Sequence, residues 1–182
     1  MSADFLSLRD DPFALLLAME QRLQTARVDL AAGSTQFWTG LGFRLGDRWL
    51  VAPREEVREV IALPILTRVP GARPWLLGLA NVRGGLLPVC DMHRLLGEEH
   101  QTLARNSRIL VYNSDRVPAG FLVDEVSGYR QFSPTDQKKE LVADSGLLAP
   151  YLLGAFVRDS QPWFAMSLHK VAMSDAFARA GW

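Results

Sequence analysis

The central stretch Gly78-Leu79-Ala80-Asn81-Val82-Arg83-Gly84-Gly85-Leu86-Leu87-Pro88-Val89-Cys90-Asp91 constrains this chain more than any other. Two short apolar runs, Leu76 to Val82 and Leu86 to Val89, flank Arg-Gly-Gly, and paired glycines supply the positive backbone angles that a tight reversal needs. The stretch reads as a β-hairpin, with the permanent charge of Arg83 projecting from its reversal. Pro88 cannot donate a ladder hydrogen bond, which places the second strand at an edge or at a bulge. Asp91 fits the cap of a short helix, Met92 to Leu96, closed by Gly97.

On either side the chain is punctuated in the same way. Phe37 to Leu45 turns at Gly46-Asp47 into Arg48 to Val51, a hairpin signature. Pro53 to Val57 reads as a brief helical turn, followed by strand-like Val57 to Leu63 and Leu66 to Val69. Pro64, Pro70, Gly71 and Pro74 leave little room for helix before the central hairpin. Glu98 to Asn106 is polar and unpatterned. Beyond it come Arg108 to Tyr112, a turn at Asn113 to Arg116, and Val117 to Val123, broken at Asp124-Glu125 and continued by Val126 to Phe132. Residues 133–149 read as a mobile polar excursion. Tyr151 to Val157 and Pro162 to Ser167 form a last hairpin across Arg158 to Gln161, and Leu168 to Ala180 a closing helix.

One long helical pattern stands apart, over residues 12–32, with Pro12 in its first turn, Asp10 or Asp11 as cap and Gly33 as stop. Its heptad seam of Leu16, Met19, Leu23, Ala26 and Leu30 suits packing on its own domain or docking to another chain or another copy. The expected fold is thus mainly β. Two runs of roughly five short strands, divided near residues 98–106, are buried as two small barrel-like subdomains over residues 37–182, after a helical extension over 1–36.

Several functions are excluded or disfavoured. Twenty basic residues balance twenty acidic ones, without a dense cationic run, so neither nucleic acid nor an anionic membrane is an expected partner. A single cysteine, Cys90, cannot form an intrachain disulfide and fits a reducing, cytoplasmic setting. The first residues do not read as a signal peptide, and Phe13 to Met19 is too short to span a bilayer. Gly84-Gly85 leads into a strand rather than a helix, unlike a nucleotide loop. His93, His100 and His169 show no metal-ligand spacing, and no cofactor is expected. Cys90, Asp91 and His93 are the nearest thing to a catalytic set, yet Cys90 lies in an apolar run, as a buried structural cysteine would.

With Asn81-Val82-Arg83-Gly84 before Leu87-Pro88-Val89-Cys90-Asp91, and Gly120-Phe121-Leu122-Val123-Asp124-Glu125-Val126 later, the chain resembles the CheW-like family of chemotaxis coupling proteins. Phe43-Arg44-Leu45-Gly46 and Val57-Arg58-Glu59-Val60 look like that family's first strands. The N-terminal helix and Gln161-Pro162-Trp163 are similar to its PilI-type members, which serve type IV pilus twitching motility.

The resemblance implies two SH3-like five-stranded β-barrels without enzymatic activity. It also implies an adaptor between a CheA-like histidine kinase and the cytoplasmic tip of a methyl-accepting chemoreceptor, located at membrane receptor arrays. It assigns interface roles to Arg83, Val57, Glu59, Val60 and Gly78, and structural motif roles to Asn81, Gly84, Pro88, Asp91, Gly120 and Asp124. Tyr129 departs from the family's smaller apolar residues at its position. The competing reading is a stand-alone small-molecule or peptide-binding β-barrel.

Overall fold

The computed structural model describes residues 37–99, 104–138, 140–143 and 145–178; the helix expected over residues 12–32 lies outside them. Ten strands follow: β1 (Trp38–Leu45), β2 (Arg48–Pro53), β3 (Val57–Ala62), β4 (Leu76–Val82), β5 (Gly85–Asp91), β6 (Arg108–Tyr112), β7 (Gly120–Val123), β8 (Glu125–Phe132), β9 (Leu152–Arg158) and β10 (Gln161–Met166). They form two five-stranded sheets, ordered β8-β1-β2-β10-β9 and β3-β6-β7-β5-β4. The expected mainly β fold is therefore present.

The sheets are not the two halves of the sequence. Strands β1 to β5 and β6 to β10 repeat one plan: a hairpin, an edge strand, a second hairpin, then a capped helix. Each half gives its first hairpin to the other half's sheet, so β1-β2 completes the sheet of β8, β9 and β10, while β6-β7 completes that of β3, β4 and β5. Each exchanged hairpin is joined by one parallel and one antiparallel pairing: β2 with β10 and β1 with β8 in one sheet, β7 with β5 and β6 with β3 in the other. A boundary near residues 98–106 thus separates two repeats but neither sheet from the other, because pairing across halves leaves no local trace in sequence.

Period-two alternation feeds three cores. In β6, Leu110 and Tyr112 enter a central core between the sheets with Phe43, Leu50, Phe121 and Met166, while Ile109 and Val111 enter a second with Leu87, Val89 and Leu122. In β2, Leu50 and Ala52 face the central core, and Val51 joins Phe132, Phe156 and Trp163 in a third. Beyond each edge strand one residue pair reaches the opposite edge: Thr67 with Leu79 of β4, and Gln137 with Phe156 of β9. These single bridges curl the sheets without a continuous closing ladder among the described residues.

Local details amend several expectations. Strand β5 is an inner strand, and its ladder irregularity falls on β4 between Leu76 and Gly78 rather than at Pro88. The parallel pairing with β7 starts at Val89, one residue past the proline. Asp91 caps α1 (Met92–Leu95), accepting from the Arg94 amide. Leu66 to Val69 contributes a single bridge instead of a strand. Residues 133–149, expected as a mobile polar excursion, contain the 3-10 turn Pro134–Asp136, helix α2 (Glu140–Ala143) and the start of the 3-10 turn Gly146–Tyr151. The closing helix is broken at Met173-Ser174 into α3 (Leu168–Ala172) and α4 (Asp175–Ala178).

Candidate functional site

The β4–β5 hairpin turns through two residues, Arg83 (φ +52°) and Gly84 (φ +83°), both left-handed as in a type I′ turn. Gly85, expected to share the reversal, already belongs to β5 and pairs with Val82. Asn81 fixes the turn by accepting the Gly84 amide at 3.0 Å. A left-handed conformation costs a side-chain-bearing residue about 1–2 kcal/mol, and here it aims a guanidinium outward. Arg83 is 80% exposed and reaches across to β3, where its Nη2 lies 2.7 Å from Glu59 Oε2.

A cleft runs between β3 and this hairpin, lined by Arg58, Glu59, Val82, Arg83, Leu86 and Val111 among others. Arg58 on the same strand pairs with Asp115 at 2.7 Å. Leu86, 68% exposed, adds an apolar surface beside the ion pair. Sequence reasoning passed over Leu86, although successive strand residues face opposite ways, so Leu86 and the buried Leu87 could not both enter the core.

The other residues singled out from the sequence do not join this cleft. Val57 is buried in the central core. Val60 is exposed and follows Glu59 directly in β3, so it occupies the strand's other face. Gly78 is a packing position: a Cβ there would lie 2.6 Å from the Thr67 carbonyl oxygen, and its φ is +152°. Gly120 is another, since a Cβ would meet Ile109 Cγ2 at 2.7 Å and Leu87 Cδ2 at 3.0 Å. Tyr129 is mostly exposed, with the Arg54 guanidinium 5.5 Å from its ring centroid.

Between the sheets, carboxylates at equivalent points of the two repeats hold the helices that follow β5 and β10. Asp124, just after β7, accepts the Gly46 amide at 2.7 Å and contacts His93 Nε2 of α1 at 3.1 Å. Glu56, just after β2, accepts from Ser167 Oγ at 2.8 Å and from the His169 amide at 3.1 Å at the start of α3. Burial raises the Glu56 carboxyl, and these hydrogen bonds work against the rise. The Tyr112 hydroxyl lies 2.6 Å from His169 Nδ1 and is itself raised by burial and then by the Glu56 charge.

This arrangement leaves little for thiol chemistry. Cys90 is fully buried, and burial followed by the Asp91 charge pushes its thiol up to about 12. Both ring nitrogens of His93 face carboxylates, Glu98 and Asp124, so that imidazole is not free to activate a nucleophile. Among the described residues no cluster of three or more histidines, cysteines or acids could hold a metal ion, and no helix is long and apolar enough to cross a membrane.

Comparison with known proteins bears on the family and the fold. The CheW-like domain model matches residues 39–176. Protein PilI of Pseudomonas aeruginosa is 40% identical over 168 residues, covering 91% of this chain and 94% of that protein. Chemotaxis protein CheW of Thermotoga maritima is 32% identical over 88 residues, 48% of this chain and 58% of that one. In fold, the chain is similar to the scaffolding protein TtCheW from Thermoanaerobacter tengcongensis, with a TM-score of 0.65 at 19% identity over 78% of this chain and 96% of that one. A two-sheet fold, a family match over most of the chain and a relative aligned nearly end to end lead to one conclusion: this chain belongs to the CheW-like family.

Proposed function

We propose that this chain is a non-catalytic adaptor that couples a CheA-like histidine kinase to the cytoplasmic tip of a methyl-accepting chemoreceptor. Its similarity to PilI along nearly its full length favours a pathway that controls type IV pilus twitching motility, at cytoplasmic receptor arrays. The observation that carries the interface is Arg83: a guanidinium 80% exposed on a left-handed turn, paired to Glu59 and next to the exposed Leu86. A charge bordering an apolar surface on a rigid hairpin suits recognition of another protein, and arrays multiply modest contacts through high effective concentration. Arg83 and Glu59 act at this surface. Val60 contributes from the other face of β3, whereas Val57 and Gly78 act by shaping the strands.

The test is recovery of partners from native lysate by tagged wild-type and Arg83→Glu protein, with circular dichroism of both baits. The substitution sets two carboxylates side by side, so partner recovery falls at least about tenfold, the scale of an interface hot spot. Fold stability changes by less than about 1 kcal/mol, as for exposed ion pairs. Equal recovery of kinase and receptor by both baits removes Arg83 from the interface. Recovery of neither partner by wild type removes the adaptor reading itself.

A further inference from the structure

A chain of charges crosses from one sheet to the other through a single buried imidazole. Arg48, at the start of β2, pairs with Glu98 Oε1 at 2.7 Å, and Glu98 Oε2 lies 3.1 Å from His93 Nδ1. On the other side of the ring, Nε2 lies 3.1 Å from Asp124 Oδ1 and 3.2 Å from Oδ2. Asp124 in turn accepts the Gly46 amide at 2.7 Å and stands 3.9 Å from Arg44, which pairs with Glu125 at 3.2 Å. Arg44, Gly46 and Arg48 belong to the β1–β2 hairpin of one sheet, whereas His93 and Glu98 follow β5 of the other.

The His93 side chain is only 5% exposed, so water has little access to its nitrogens. A neutral imidazole offers one donor and one acceptor, and an ionised carboxylate only accepts. Two carboxylates at hydrogen-bond distance are therefore matched only when both nitrogens carry protons. Charge balance points the same way. The facing groups are Arg44 and Arg48 against Glu98, Asp124 and Glu125, two cations and three anions. Flanking His93 in sequence, the Asp91 carboxylate faces the Arg94 guanidinium at 3.6 Å, one further anion with a cation beside it.

We propose that His93 is a buried imidazolium that clamps the exchanged β1–β2 hairpin to the helix after β5, completing a balanced network of three cations and three anions. Removing one ring proton turns a lone pair toward a carboxylate and leaves an excess negative charge, so the clamp holds when His93 is protonated and loosens when it is not. The inference rests on contacts within the chain and is independent of the adaptor reading.

The test uses the full chain, labelled with nitrogen-15 in its histidine rings, near neutral pH. Two protonated nitrogens are expected for His93, assigned by the signals lost in His93→Gln. In that variant one amide end still accepts while facing a carboxylate, and the folding equilibrium constant falls by at least about a hundredfold, as when one partner of a buried ion pair is removed. Adding Glu98→Gln to His93→Gln restores charge balance and supplies a matching donor, and recovers at least half of that loss on a logarithmic scale. A ring with one bare nitrogen in the wild-type spectrum overturns the proposal, and so does a double variant less stable than His93→Gln alone. Should His93→Gln fail to fold, the wild-type spectrum, assigned by contacts of the His93 ring protons, decides.

Discussion

Gly78→Ala tests whether the family motif around the central hairpin is written for binding or for packing. A Cβ at this position would lie 2.6 Å from the Thr67 carbonyl oxygen and 3.0 Å from its carbonyl carbon, both backbone atoms that cannot swing aside. The contact cannot relax without moving the bridge in which Thr67 and Leu79 exchange hydrogen bonds of 2.9 and 2.8 Å. Overpacking costs about 1–3 kcal/mol, and two weakened backbone bonds add about 1 kcal/mol. The expected loss is about 2–4 kcal/mol. With a urea slope of about 2 kcal/mol per molar, the unfolding midpoint falls by about 1–2 M, read by far-ultraviolet circular dichroism. A midpoint shift smaller than about 0.25 M, the equivalent of 0.5 kcal/mol on that slope, refutes the packing argument. If the same variant then fails to recover partners, Gly78 is a contact residue instead.

Two further outcomes follow from buried titratable groups. With its thiol pushed up to about 12, Cys90 stays unlabelled by a disulfide reagent in the native protein at neutral pH and reacts at once in denaturant; fast native labelling contradicts its burial. Glu56 is raised from 4.5 in the folded chain, so its contribution to stability is complete below that value and is lost as pH rises through the folded-state value. Urea midpoints of wild type minus Glu56→Gln should therefore decline with rising pH from about 4 upward, and a difference that stays constant or grows refutes the assignment.

Local features were the legible part of the sequence. The reversals at Gly46-Asp47 and Arg158 to Gln161, the Asp91 cap and the central hairpin each depend on a few neighbouring residues, and all four formed. The central turn shifted by one residue because Asn81 holds the Gly84 amide, placing Arg83 rather than Gly85 at positive φ. Contacts between distant segments were not legible. Nothing local indicates that Glu59 meets Arg83, that Thr67 crosses Gly78, or that Asp124 reaches His93. Val57 illustrates the same limit: a valine opening a strand is equally suited to a surface or a core, and a ladder irregularity between Val57 and Glu59 decides it.

The exchange of hairpins between repeats sets an order on synthesis. The β1–β2 hairpin, ending at Pro53, leaves the ribosome well before its inner partner β10, which spans Gln161–Met166. The other sheet waits for β7, ending at Val123. Pairings this distant are slow to form, since loop closure comes before any gain in contacts. A nascent chain halted anywhere before Trp163 therefore presents an incomplete sheet, with the β2 edge that β10 would cover still open to pairing with another chain.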